Sequence, residues 1–337
     1  MATVELTLTG PDGANPLGFL CALGILRTLS NAWPDSEVKM KWQQIGAPWR
    51  PVLRASHADL DGRDEVGQKA VIVNAIFEEL KRMEKHPAQC CPTSENTSPS
   101  RPSLKRMEKH PAQCWNDTHD IPPEKYREYA SKARDLFFRA SNADHRPAEW
   151  AAALACDVVT DGEHVEDTAF RTMSGQGHQH FLKQIRSLQE RLEKKHIDEA
   201  LFGWQYQDEK LNLRFDPSED RRHALRWKSP DKDPIKTVWG ANRLAAEGLP
   251  LCPVFPAGTK LKTTGFRGSG KDDTFWTWPI WSGFLSVAVV RSILALPALQ
   301  ADKPPRGELS PLGIVEVYRT QRITVGKYRA FTPPIAI

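Results

Sequence analysis

The chain has 337 residues, enough for one large or two ordinary domains with a substantial core. Its 40% hydrophobic residues and 11 Trp exclude a wholly disordered protein. The net charge of +4 mildly favours an anionic partner. The N-terminus lacks a basic segment followed by a cleavable apolar one, and no apolar run is long enough to cross a bilayer. The 6 Cys are scattered, as is typical of reduced thiols, so we expect a cytoplasmic protein.

The first 29 residues predict a strand, a glycine-containing turn and a central helix. Residues 4–9 alternate apolar and polar side chains, which indicates a half-buried strand. Asn15 is placed to cap a helix, and Pro16 suits the first helical position because its missing N–H costs nothing there. Residues 17–29 are nearly all apolar or small, so this helix should be buried.

The rest of the chain predicts an α+β fold. We expect a strand over residues 38–42, a loop over 48–51, and a C-terminal β-hairpin over 314–329. A helix start is expected at Asp216-Pro217, and Asn242 is placed to cap a further helix. The remaining helices are expected over residues 65–82, 124–139, 147–156, 181–195 and 284–296.

An 11-residue segment occurs twice without change, at residues 80–90 and 104–114. Between the copies lies a Pro- and Ser-rich stretch of loop composition. Two copies are too few for a solenoid, so the identity indicates a recent duplication or a sequence artefact. We expect three parts: an N-terminal α/β part (1–83), a mobile insertion (84–122), and a helical and α+β part (123–337) that can be continuous with the first.

Two sets of histidines and cysteines invite a metal interpretation. His86, Cys90, His110 and Cys114 lack zinc-finger spacing, and the proline after each histidine breaks a helix that would present both ligands. His178 and His180 lie before a predicted helix, where a metal or an anion could bind, but the spacing indicates no third metal ligand. Loop and capping roles are therefore favoured, and we expect no metal and no cofactor.

Residues 265–271 fit the bare Gly-x4-Gly-Lys spacing of a phosphate-binding loop. Asp272 replaces the hydroxyl that would hold magnesium, and neither a buried strand before the loop nor a helix after it is predicted. Nucleotide binding is rejected, although the loop stays a candidate phosphate contact. The tryptophans that follow, at 276, 278 and 281, could stack on bases, but their large apolar area favours the core.

Two arginine-rich segments leave alternatives open. Residues 214–226 combine four arginines with three carboxylates, which fits an ion-paired turn, a phosphate contact or acid–base chemistry. The hairpin over 314–329 carries cations interleaved with Tyr318 and Tyr328, as in a nucleic-acid-binding sheet or an ordinary solvated one. Residues 256–337 hold 11 Lys and Arg against 5 Asp and Glu. No serine elbow, HExxH, paired CxxC or complete phosphate loop is present, so we expect no enzymatic activity.

Five segments resemble proteins encoded with type I CRISPR effectors, namely residues 15–27, 174–178, 214–222, 240–244 and 325–328. The nearest group is type I-G (formerly I-U), as a divergent large subunit or a protein associated with the helicase-nuclease. By analogy, such large subunits contact the short motif beside the target, hold displaced DNA and recruit the nuclease. The duplicated insertion departs from this group.

The resemblance and the basic C-terminal third together imply a non-catalytic subunit of a Cascade-like interference complex. Its expected partners are crRNA, target DNA, other effector subunits and the helicase-nuclease, with no membrane contact. The candidate nucleic-acid-binding residues are Arg214, Arg221, Arg222, Arg226, Arg243, Arg267, Lys271, Arg319, Arg322, Lys327 and Arg329. The alternatives are a metal-dependent nuclease using Asp216, Glu219, Asp220 and His223, or a protein-binding scaffold without nucleic-acid contact.

Overall fold

The computed structural model describes residues 3–82, 121–139, 145–173, 180–219, 235–268, 273–325 and 328–337. Within these ranges the fold is α+β, as expected. The α-helices are α1 (Pro16–Ala32), α2 (Glu65–Arg82), α3 (Pro123–Arg139), α4 (Arg146–Leu154), α5 (Phe181–Arg191), α6 (Lys194–Phe202), α7 (Trp239–Gly248), α8 (Val287–Leu294) and α9 (Arg306–Leu309). None of these described helices combines the length and the apolar character needed to cross a bilayer.

The strands form two main antiparallel sheets and three short pairs. The N-terminal sheet has the order β1 (Thr3–Thr7), β3 (Trp49–Ser56), β2 (Glu37–Gln44). The C-terminal sheet has the order β10 (Phe266–Gly268), β11 (Thr274–Trp281), β12 (Ile314–Val325), β13 (Tyr328–Phe331), with β14 (Ile335–Ala336) also paired to β12. The short pairs are β4 (Ala155–Thr160) with β5 (Val165–Asp167), β6 (Asp208–Glu209) with β7 (Lys236–Thr237), and β8 (Val254–Ala257) with β9 (Lys260–Thr263).

Helix α1 is the centre of the core, as the sequence predicts. The side chain of Asn15 accepts hydrogen bonds from the backbone N–H groups of Leu17 (2.8 Å) and Gly18 (3.3 Å), which confirms the predicted cap. Every residue from Pro16 to Leu29 is buried. Helix α7 crosses α1 closely, since a Cβ added at Gly24 would lie 1.8 Å from the carbonyl oxygen of Leu244.

The tryptophans of β11 lie in the same core, which confirms the preferred interpretation over base stacking. Trp276, Trp278 and Trp281 are fully buried, and their rings surround Phe19 of α1 at centroid distances of 5.7–6.1 Å. The Nε1–H of Trp278 donates to the carbonyl oxygen of Gly13 at 2.8 Å. The turn before α1 is therefore tied directly to the C-terminal sheet, and the described hairpin strands β12 and β13 pair as predicted.

The structure differs from the sequence prediction at two segments. Residues 49–51, predicted as loop, begin β3, because Trp49, Arg50 and Pro51 pair with residues of β2. The helix predicted over 181–195 is two helices. Leu192 adopts an extended conformation, and Glu193 then caps α6 through a reciprocal capping box with His196.

Two predicted helix starts also differ. Asn242 does not cap α7, which begins three residues earlier at Trp239. The Asp216-Pro217 segment forms a single 3-10 turn over Pro217–Glu219 before the described residues end. Most of both duplicated copies, with His86, Cys90, His110 and Cys114, lies outside the described residues. The predicted division into three parts stays a prediction, although one buried cluster joins Val4 to Phe331.

A buried ionic network connects the core helices. Arg27 of α1 is paired with Glu247 of α7 (2.6 Å) and with Glu149 of α4 (2.8 Å). Glu247 also pairs with Arg243, and Glu149 with Arg291 of α8. Since both carboxylates are shared between two arginines, each charge in the interior has an opposite charge beside it. The network fixes how four helices pack.

Candidate nucleic-acid interface

Hydrogen bonds connect parts of four sequence segments singled out for their motifs. Asn242 Oδ1 of α7 accepts from the backbone N–H of Leu213 at 2.7 Å. The Leu213 carbonyl accepts from Thr172 Oγ1 at 2.7 Å, and the Thr172 carbonyl accepts from the backbone N–H of Arg329 at 3.3 Å. Leu213 beside Arg214, Thr172 shortly before the 174–178 segment and Arg329 of the C-terminal hairpin are therefore held together at one place.

Asn242 holds this arrangement from inside the core. It is fully buried, and its Nδ2 donates to Thr237 Oγ1 (2.8 Å) and to the Val238 carbonyl (3.1 Å). A buried amide is stable only when its donors and acceptor are paired, which this geometry achieves. Asn242 thus links α7 to the segment of Arg214, a role that differs from the predicted helix cap.

Three arginines gather at this place; we call Arg171, Arg322 and Arg329 the arginine cluster. Arg329 Nη1 donates to the Arg171 carbonyl at 3.2 Å, and Arg322 Nη1 donates to the Ala169 carbonyl at 2.7 Å. Arg171 Nε donates to the Met173 carbonyl at 2.9 Å, and its Nη1 pairs with Asp167. Backbone carbonyls thus orient all three guanidinium groups.

The arginine cluster carries more positive than negative charge. Among the described residues, no carboxylate forms a salt bridge with Arg322 or Arg329, although both are half-buried. Burial lowers the pKa of Arg322 to about 10, the nearby positive charge of Arg329 acts in the same direction, and the negative charge of Asp167 opposes both in part. Like charges brought together away from water destabilise one another, and a bound anion would relieve that repulsion.

The arginine cluster rests on a rigid base. In the β12–β13 register Arg322 pairs with Phe331, which is fully buried. The Phe331 ring lies 6.2 Å from that of Phe215 and 5.8 Å from that of Trp276. Arginines anchored to a packed aromatic core lose little further freedom on binding, which favours affinity.

Two predicted nucleic-acid contacts are wrong. Arg243 is fully buried, and its guanidinium is bound to Glu247 (2.8 Å) and Gln189. Arg319 is 6% exposed and donates to Thr277 Oγ1 (2.9 Å) and to the carbonyls of residues 299, 301 and 302. Both guanidinium groups are used within the chain, so neither presents a charge to a polyanion.

The remaining candidates differ in position. Arg267 is 30% exposed but pairs with Asp302 at 2.5 Å, and this hydrogen bond lowers the pKa of Asp302. Arg214 is half-buried, with a left-handed backbone (φ 57°), next to Leu213. Both stay predictions. Five candidates lie outside the described residues, namely Arg221, Arg222, Arg226, Lys271 and Lys327.

The alternative nuclease site is only partly described. Asp216 is 2% exposed and accepts hydrogen bonds from the Tyr206 hydroxyl (2.8 Å) and the backbone N–H of Ser218 (2.9 Å). These bonds give Asp216 a local structural role. The side chain of Glu219 and all of Asp220 and His223 lie outside the described residues, where His178 also lies.

Sequence reasoning missed Arg171 and the ionic network. Arg171 lies three residues before the 174–178 segment, and that position was its one available signal. Arg27 was detectable as the single charge in an otherwise apolar helix, which indicates a buried ion pair. Neither signal identifies the partner.

No family model matches the chain, and no match is found among curated proteins or solved structures.

Proposed function

We propose that the protein is a non-catalytic, nucleic-acid-binding subunit of a type I CRISPR interference complex. The observation that carries the nucleic-acid part is the arginine cluster, in which Arg322 and Arg329 have no carboxylate partner among the described residues. The sequence resemblance supports the CRISPR part. In this proposal the protein is cytoplasmic, with crRNA, target DNA, other effector subunits and the helicase-nuclease as partners.

Phosphate is the anion that suits this cluster. A guanidinium group offers parallel N–H donors that match two phosphate oxygens, and each phosphate contact releases counterions from the nucleic acid. Backbone carbonyls already fix Arg322 and Arg329 through one donor each, which leaves other donors of both forks for a ligand. Contacts of this kind position a polyanion without reading its sequence.

Filter binding of DNA and RNA oligonucleotides to the full chain, alone and in the assembled complex, tests the nucleic-acid part. Each phosphate contact should contribute about 0.7–0.9 to the slope of log K against log salt, measured between about 50 and about 200 mM. Arg329→Ala should reduce that slope by about one contact, and Arg322→Lys should weaken binding while keeping the charge.

Arg63→Ala is the matched control, because Arg63 is an exposed arginine in the turn before α2. It removes the same charge and should leave the slope unchanged. If Arg329→Ala and Arg63→Ala have equal slopes, or if wild-type binding does not depend on salt, the arginine cluster is not the contact. Copurification with effector subunits tests the CRISPR part separately. Magnesium-dependent cleavage that Asp216→Ala abolishes would favour the nuclease alternative instead.

A further inference from the structure

A second cavity lies along α6. This helix, the segment that follows it and Trp239 line an open cavity of about 680 Å³. The described lining contains four carboxylates, from Glu193, Asp198, Glu199 and Asp208, against one cation, Lys195. Lys195 pairs with Glu193 at 2.9 Å. Among the described residues no Lys or Arg forms a salt bridge with the other three carboxylates, so the cavity is acidic.

A buried donor faces this cavity. His196 is 5% exposed and lines the cavity, and its Nδ1 accepts a hydrogen bond from the backbone N–H of Glu193 at 3.0 Å. An accepting Nδ1 places the proton of the neutral ring on Nε2. Nε2 has no hydrogen-bond partner within the described parts of the chain, and it is open to the cavity. A ligand in the cavity can therefore supply a hydrogen-bond acceptor at this atom.

The acidic groups are held in place. Asp208 Oδ2 accepts from the backbone N–H of Trp239 at 2.7 Å, and Glu199 Oε1 accepts from that of Gln205 at 3.0 Å. Each bond fixes one carboxylate oxygen and leaves the second available. The Trp239 ring provides an aromatic wall, with the Arg191 guanidinium 5.9 Å from it, near the outer limit of a cation–π contact.

We propose that this cavity binds an arginine- or lysine-bearing segment of a partner protein. The cationic side chain lies between Asp198, Glu199 and Asp208, and a backbone carbonyl of the segment accepts from His196 Nε2. A peptide supplies both the cation and the acceptor, whereas a polyamine supplies no acceptor. The described residues also contain no group of three or more side chains arranged to hold a metal ion. The volume is within the range of sites for ligands of this size.

The test uses the full chain and two dye-labelled peptides. One peptide contains arginine, and the other has the neutral isostere citrulline at the same position. Fluorescence anisotropy should show binding of the arginine peptide and at least about tenfold weaker binding of the citrulline peptide, because a charge-assisted hydrogen bond is lost. Asp198→Asn should weaken the arginine peptide similarly. Asp198 is exposed and forms no hydrogen bond within the described chain, so this variant should fold.

Glu78→Gln, an exposed carboxylate of α2, is the charge-matched control and should leave binding unchanged. Any of three results would overturn the proposal: equal affinity for the two peptides, unchanged affinity of the Asp198→Asn variant for the arginine peptide, or spermidine binding as tight as that of the arginine peptide. The assay contains no nucleic acid. Its result is therefore independent of the arginine cluster, and Arg329→Ala should bind the peptide as wild type does.

Discussion

Gly24→Ala tests the close crossing of α1 and α7. The added Cβ would lie 1.8 Å from the carbonyl oxygen of Leu244 and 2.6 Å from its carbonyl carbon. Both atoms belong to the backbone of a buried helix, so rotation of a side chain cannot relieve the clash. The two helices must separate by about 1.5 Å at this point to restore ordinary contact distances.

The expected destabilisation combines two opposing terms. Overpacking of this kind costs about 1–3 kcal/mol, and the position here is at the upper end because backbone must move. Alanine regains about 1 kcal/mol of helix propensity over glycine. The net loss is about 2 kcal/mol. With an unfolding entropy of about 2.1 cal/mol/K per residue over 337 residues, the melting temperature should fall by about 3 °C.

Gly307→Ala is the matched control for this measurement. Gly307 lies in the short helix α9, and an added Cβ would meet no atom within 4 Å. The same substitution should therefore stabilise the protein by up to about 1 kcal/mol through helix propensity. Urea and thermal unfolding of both variants should thus give changes of opposite sign. If Gly24→Ala is neutral or stabilising, the close crossing of α1 and α7 is wrong.

Three further predictions concern the core and the thiols. Trp278→Phe leaves the buried Gly13 carbonyl without its donor and should lower the unfolding free energy in urea by about 1–3 kcal/mol. Burial opposes ionisation of Glu149, but its two arginine partners hold the pKa of its carboxyl group below the usual 4.5. As the pH falls through 4.5 and below, the unfolded state binds a proton before the folded state does, so the free energy of unfolding decreases. Glu149→Gln should show a flatter profile there in pH-dependent thermal unfolding, and an unchanged profile would contradict the assignment. Burial raises the pKa of Cys252 to about 12, so iodoacetamide at pH about 8 should modify the half-buried Cys156 before Cys252, as peptide mass spectrometry would reveal.

Features set by neighbouring residues were predictable from the sequence. The Asn15 cap, the buried α1 and the helix over 65–82 each depend on side chains within a few positions of one another. The two-residue periodicity of residues 314–329 likewise gave the hairpin. Where local composition gave the wrong answer, at 49–51, a partner strand from another part of the chain decided the structure.

The structural role of each arginine was not predictable, because it depends on partners that are distant in sequence. Arg27 meets Glu149 and Glu247, which are 122 and 220 residues away. Arg319 presents almost no surface to a ligand, because it is buried and the carbonyls of residues 299, 301 and 302 accept hydrogen bonds from its guanidinium. The residues next to an arginine in the sequence do not reveal such distant partners. Arginines with different roles in the structure were therefore all predicted to bind nucleic acid or were overlooked.

Two pairs of arginines in the described chain differ in whether a carboxylate forms a salt bridge with them. Arg27 and Arg243 share Glu247 in a dry interior, and there a charge without a partner would be strongly destabilising. Arg322 and Arg329 are also withdrawn from water, yet the described chain gives them carbonyl oxygens and no salt bridge, with Asp167 attracting Arg322 only from beyond salt-bridge distance. A carbonyl orients a guanidinium but does not cancel its charge. In the proposed function this charge attracts an anion, and relief of the repulsion between the arginines contributes to the affinity.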